Sequence, residues 1–150
     1  MKQTIIELEN IIHIYTPMLY KISEPDLVFK PAPEKWSKKE IIGHLIDSVQ
    51  NNIRRFVVAQ YEEQPQIIYA QNYWVTAAAY QSYNTNDLID LWQLLNKQAC
   101  IVLKNIPAGF EKKECLAGML HTIEWLAQDY NKHLLHHLHQ VLNLEPAAYP

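Results

Sequence analysis

Three glycines in 150 residues leave little room for tight β-turns or hairpins. The two cysteines, Cys100 and Cys115, form no Cys-x-x-Cys pair and are too few for a disulfide scaffold. They read as reduced thiols of a cytoplasmic protein, and neither has neighbours that would lower a thiol pKa. No apolar run approaches the roughly 18 residues needed to cross a bilayer. The N-terminal Met1–Asn10 stretch carries acids where a signal peptide has an unbroken apolar core. Basic residues do not cluster, with Lys38-Lys39 and Arg54-Arg55 the densest spots, and the net charge is −3. That balance offers no electrostatic footprint for nucleic acid. A Gly-rich phosphate loop, a His-Glu-x-x-His pair and Glu-x-x-His pairs are all absent.

What is present is helical periodicity, four times over, in a chain of single-domain size (residues 1–150) that is 49% hydrophobic. The first helix spans about Thr4 to Ile22, with Ile5, Leu8, Ile12, Tyr15 and Leu19 on one stripe and Pro17 set to kink or shorten it. A proline-marked connection, residues 23–36, precedes a second helix that extends to about Gln60. Ser37 and Glu40 form a capping box at its start. Residues 61–84 read as tyrosine-rich and irregular, with a short extended piece at Ile67 to Tyr69. The third helix carries Leu88, Leu91, Trp92, Leu95, Ala99, Val102 and Ile106, and Pro107 ends it. After a loop containing Gly109 and Gly118, the fourth helix runs from about His121 to Leu144. The expected fold is an all-α four-helix bundle with long first and second connections.

The last helix concentrates histidine. At about 100° per residue, Ile123, Leu126, Ala127, Tyr130, Leu134, Leu138 and Val141 form one apolar arc. His137 falls within that arc and His133 at its edge, whereas His136 and His139 project outward. Residues four apart on a helix lie one above the other, so His133 and His137 can share a cation. A single inward histidine is more often a hydrogen-bonded core residue; a pair with a third on another helix favours a metal. His44, at the edge of the apolar face of the second helix, is that third candidate. Ser48, Asn51 and Arg55 continue its stripe, either as a solvated face or as the wall of a pocket in which Arg55 would anchor a carboxylate. Asp47, Asp129 and His136 are the residues that could add a fourth ligand.

These residues carry a resemblance. Trp36-Ser-x-x-Glu-Ile-x-Gly-His44-Leu-x-Asp47, followed late in the chain by Asp129-Tyr-x-x-His133-x-x-His136-His137-x-x-Gln140, resembles the DinB/YfiT-like superfamily over nearly the whole chain. The resemblance implies an up-down-down-up bundle with a divalent metal on His44, His133 and His137. It further implies an activity of the kind found among its members, which include S-transferases using bacillithiol or similar low-molecular-weight thiols and a mycothiol-dependent isomerase.

Three neutral imidazoles with open positions suit chemistry more than structure, because purely structural sites usually close with four protein ligands. Thiol S-transfer to an electrophile is the leading expectation, metal-dependent hydrolysis the second, and a non-catalytic metal-binding stress or interaction protein the third. Zinc, nickel and iron all accept imidazole. The expected partners are a small-molecule substrate and a second copy of the chain. The homodimer is expected because Tyr61, Tyr69, Tyr73, Trp74 and Tyr80 crowd a region too small to bury them all.

Overall fold

In a computed structural model describing residues 1–149, six α-helices and one β-hairpin follow in the order α1 (Lys2–Leu19), α2 (Glu24–Val28), α3 (Lys38–Val58), α4 (Gln71–Ala78), α5 (Thr85–Lys104), β1 (Glu114–Ala117), β2 (Met119–Thr122) and α6 (Ile123–Leu142). The four long helices are those expected from periodicity. α1 continues through Pro17 but stops at Leu19, short of Ile22. At the start of α3 the capping box is formed in both directions: the Ser37 amide donates to Glu40 Oε2 at 2.8 Å, and the Glu40 amide donates to Ser37 Oγ at 3.1 Å. Asn84 and Thr122 cap α5 and α6 in the same manner, accepting from Asp87 N and Trp125 N.

α1 packs on α5 and α6, and α3 packs on the same two, so α1 and α3 lie on a diagonal. Side-chain pairs give the directions. The Met1 ammonium meets Glu124 and the Tyr15 hydroxyl meets His139, so α1 and α6 run parallel. Tyr20 meets Asp90 and Lys104 meets Glu9, so α5 opposes α1. His44 neighbours both His133 and His137 while Ser48, one turn on, meets His133, so α3 opposes α6. The arrangement is up-down-down-up. Its core holds Leu8, Leu45, Ile46, Val49, Leu88, Trp92, Leu134 and Leu138, all fully buried. Each such side chain contributes about 1.5–3 kcal/mol on removal from water. No helix among the described residues is long and apolar enough to cross a membrane.

Four features depart from the sequence reading. The 23–36 connection contains α2, and the 61–84 region contains α4 and a 3₁₀ turn at Tyr80–Ser82. Both helices are too short to show a periodicity, and α4 begins without a side-chain cap. The expected extended piece at Ile67 to Tyr69 is not a strand; Gln66 makes an isolated parallel bridge to Leu116. The scarcity of glycine does not prevent a hairpin: Ala117 pairs with Met119 around Gly118, whose φ of +95° is the left-handed geometry that glycine tolerates. The crowded aromatics, by contrast, behave as expected and are not all buried. Tyr80 is buried and Tyr69 half-buried, while Tyr61, Tyr73 and Trp74 are exposed.

Candidate metal centre

α3 and α6 bring His44, His133 and His137 together, with one ligand nitrogen from each lying within 4.8 Å of the others. His44 comes from the buried face of α3, and the other two are successive turns of α6. The Nε2 atoms of His44 and His133 face each other at 3.1 Å. Two nitrogens bound to one cation at about 2.0–2.1 Å are separated by roughly 2.8–3.4 Å, from right-angled to tetrahedral geometry. The observed spacing fits.

The tautomers fit as well. His137 Nδ1 lies 3.1 Å from Gln140 Oε1, which only accepts, so the proton sits on Nδ1 and Nε2 keeps its lone pair. His133 Nδ1 is 3.4 Å from Ser48 Oγ, which leaves its Nε2 directed at His44. His44 Nδ1 is buried with no partner. The 3.1 Å contact closes either through the Nε2–H of one neutral ring or through a cation between two lone pairs, and burial disfavours the charged imidazolium. It pushes the His44 imidazole down to about 4 and holds His133 and His137 below the usual histidine range, with the neighbouring imidazoles adding to the effect. The three rings are therefore neutral at pH 7, as metal ligation requires. Trp36 covers His44, their ring centroids 5.0 Å apart.

No fourth protein ligand joins the cluster among the described residues. Asp47, one turn beyond His44, is turned to the Tyr80 hydroxyl, which donates to its Oδ1 at 2.5 Å. Asp129 accepts from the Tyr149 hydroxyl at 3.1 Å. His136 directs Nδ1 to the Ala147 carbonyl at 3.2 Å.

The α3 stripe is split. Ser48 reaches His133, but Asn51 donates its amide to the Asp47 carbonyl within its own helix. Arg55 directs Nε and Nη2 to the Ile67 carbonyl and Nη1 to Asn52, pinning the 65–69 segment. Three of its five N–H groups are thus committed to the fold.

The outward pair is half-buried rather than fully solvated. Beyond α6 the chain reverses at Asn143, in the left-handed region with φ +53°, and residues 144–149 fold back over the helix. His139 accepts from the Tyr15 hydroxyl at 2.7 Å and donates Nδ1–H to the Glu145 carbonyl at 2.6 Å. Tyr149 lies against both His133 and His136, with ring centroids 5.5 and 5.8 Å away. A helical wheel carries no information about a tail that folds back, so Tyr149 has no signal in the sequence.

Beside the cluster opens a groove of about 500 Å³, with Trp36, Ile41, Gln71, Asn72, His137 and Gln140 among its walls. Gln71 and Asn72 come from α4, the helix that periodicity does not reveal.

The chain belongs to the DinB superfamily, whose family model matches residues 7–141. No curated protein matches the sequence. Among solved structures it is similar to YfiT from Bacillus subtilis, described as a probable metal-dependent hydrolase with an unusual four-helix bundle topology. The TM-score is 0.83 at 20% identity, over 95% of this chain and 83% of that one. It is also similar to a mycothiol-dependent maleylpyruvate isomerase, with a TM-score of 0.77 at 12% identity, over 98% of this chain but 61% of that chain. At these identities the likeness shows the fold.

Proposed function

We propose, with DinB-superfamily membership as the premise, that this chain is a metal-dependent enzyme whose divalent cation is held by His44, His133 and His137. Zinc and nickel fit these ligands best, with iron a third candidate. The reading rests on one observation: two imidazole Nε2 atoms meet at 3.1 Å, with a third imidazole in reach and no fourth protein ligand. When bound, such a cation is a Lewis acid that lowers the pKa of a thiol or a water.

The chain's own residues supply the rest. Neutral imidazoles leave the full cationic charge available. Gln140 and Ser48 hold the rings of His137 and His133 in orientation. Trp36 keeps water from His44, and the groove beside His137 admits a small molecule. Ser48 lies nearest of the three α3 residues proposed to meet substrate. Asn51 and Arg55 follow Ser48 along the same stripe of α3, and the two uncommitted N–H groups of Arg55 suit a carboxylate.

The reaction we propose is S-transfer from a low-molecular-weight thiol to an electrophile, for which an open groove beside the cluster provides room. Likeness to YfiT, a probable metal-dependent hydrolase, supports hydrolysis as the second reading. Metal-loaded protein incubated with bacillithiol, glutathione or cysteine and a panel of electrophiles is expected to form adducts above the uncatalysed rate. Water-dependent hydrolysis with no thiol turnover would replace the first reading by the second. Inactivity in both assays would leave a non-catalytic metal-binding protein.

A further inference from the structure

A second groove, of about 570 Å³, lies between α3 and α4. Asp47 and Gln50 line it from α3, and Tyr73, Trp74, Ala77 and Ala78 from α4, with Tyr80 beside Asp47. The Asp47 side chain is only 2% exposed. One of its oxygens accepts from Tyr80, and the other, Oδ2, is buried with no partner. None of the ion pairs among the described residues includes Asp47. A buried carboxylate without a cation is costly, and proteins retain one where something pairs with it. Around it stand two aromatic rings with free surface, Tyr73 80% exposed and Trp74 38% exposed. A carboxylate beneath aromatic faces is the chemistry that recognises an organic cation.

We propose that this groove binds a small primary ammonium compound with an apolar body. The ammonium donates to Asp47 Oδ2, and the hydrocarbon part rests on Trp74 and Tyr73. A primary ammonium suits the site better than a quaternary one, because Oδ2 needs a hydrogen-bond donor. The site shares no wall residue with the groove beside the histidine cluster and does not depend on a metal there. Burial pushes the Asp47 carboxyl up to about 6, against the effect of the Tyr80 hydrogen bond, so an ammonium bound at neutral pH finds it ionised.

The test is a calorimetric titration of the full chain at pH 8 with n-butylammonium and with its neutral isostere butan-1-ol. Saturable binding of the ammonium and none of the alcohol is expected. Asp47→Asn, which keeps an acceptor for Tyr80, is expected to weaken binding by about tenfold or more. Trp74→Ala, a change at the exposed rim, is expected to weaken it severalfold. His133→Ala is expected to leave it unchanged. Equal binding of ammonium and alcohol, equal affinity in Asp47→Asn, or loss in His133→Ala would each overturn the proposal. Loss in His133→Ala would place the amine at the histidine cluster. Should Asp47→Asn fail to fold, full-strength binding in Trp74→Ala overturns it independently.

Discussion

Gly43 lies directly beneath the ring of Tyr80, and a Cβ at position 43 would fall inside that ring. Glycine in a helix interior costs about 1 kcal/mol relative to alanine, so propensity alone makes Gly43→Ala stabilising. The steric effect should win, because Tyr80 is buried and would have to give up its bond to Asp47 to move. Gly43→Ala is expected to cost about 1–3 kcal/mol or more. Denaturant unfolding checks this; unchanged or raised stability would show that the 3₁₀ turn gives way easily.

One divalent metal per chain is expected in protein purified without an affinity tag and loaded with zinc or nickel. His44→Ala, His133→Ala and His137→Ala should each abolish tight binding, since each removes one of three ligands. His136→Ala should weaken it by at most about 10- to 100-fold, through its contacts with His137 and Tyr149. Calorimetric metal titrations of the four variants decide it. Tight binding retained in His133→Ala but lost in His136→Ala would overturn the assignment.

His139→Ala separates metal binding from stability. Its ring links Tyr15 on α1 to the Glu145 carbonyl of the returning tail, so the variant should lose about 1–3 kcal/mol while metal affinity stays unchanged. Thermal unfolding and metal titration of the same sample provide both readings.

Asp47 gives a pH dependence with a definite sign. Its folded pKa, about 6, exceeds the ordinary carboxyl value of 3.8, so the proton is held more tightly in the folded state. The stabilisation this confers is fully present below the unfolded value and is lost as pH rises through the folded one. Asn at this position does not titrate. The stability of Asp47→Asn relative to the parent should therefore rise between about pH 4 and pH 6 and then level off. A difference that is flat across that range would place the carboxyl's pKa near its ordinary value.

A homodimer is expected from the apolar surface left on the 61–74 stretch, where Tyr61 and Tyr73 are largely exposed. Light scattering at high micromolar concentration should give twice the chain mass of 17.6 kDa. A monomer mass would overturn the dimer.

The three histidines and the four long helices are legible in the sequence for a common reason. Each is a matter of local period: the capping box at Ser37 and Glu40 sets the start of α3, and the apolar arc of α6 turns His133 and His137 inward. Elements without a period are not legible. α2 and α4 are too short, and the hairpin turns on a single glycine whose backbone angle no composition reveals.

By itself, then, the sequence determined which residues lie on which helix face, because side-chain direction follows from a fixed rotation per residue. Tertiary packing alone decided what each face meets. It turned Asp47 from a possible metal ligand into the partner of Tyr80, committed Arg55 to the Ile67 carbonyl, and folded the tail over His136 and His139. Those outcomes depend on contacts between positions far apart in the chain, and a helical wheel describes one segment at a time.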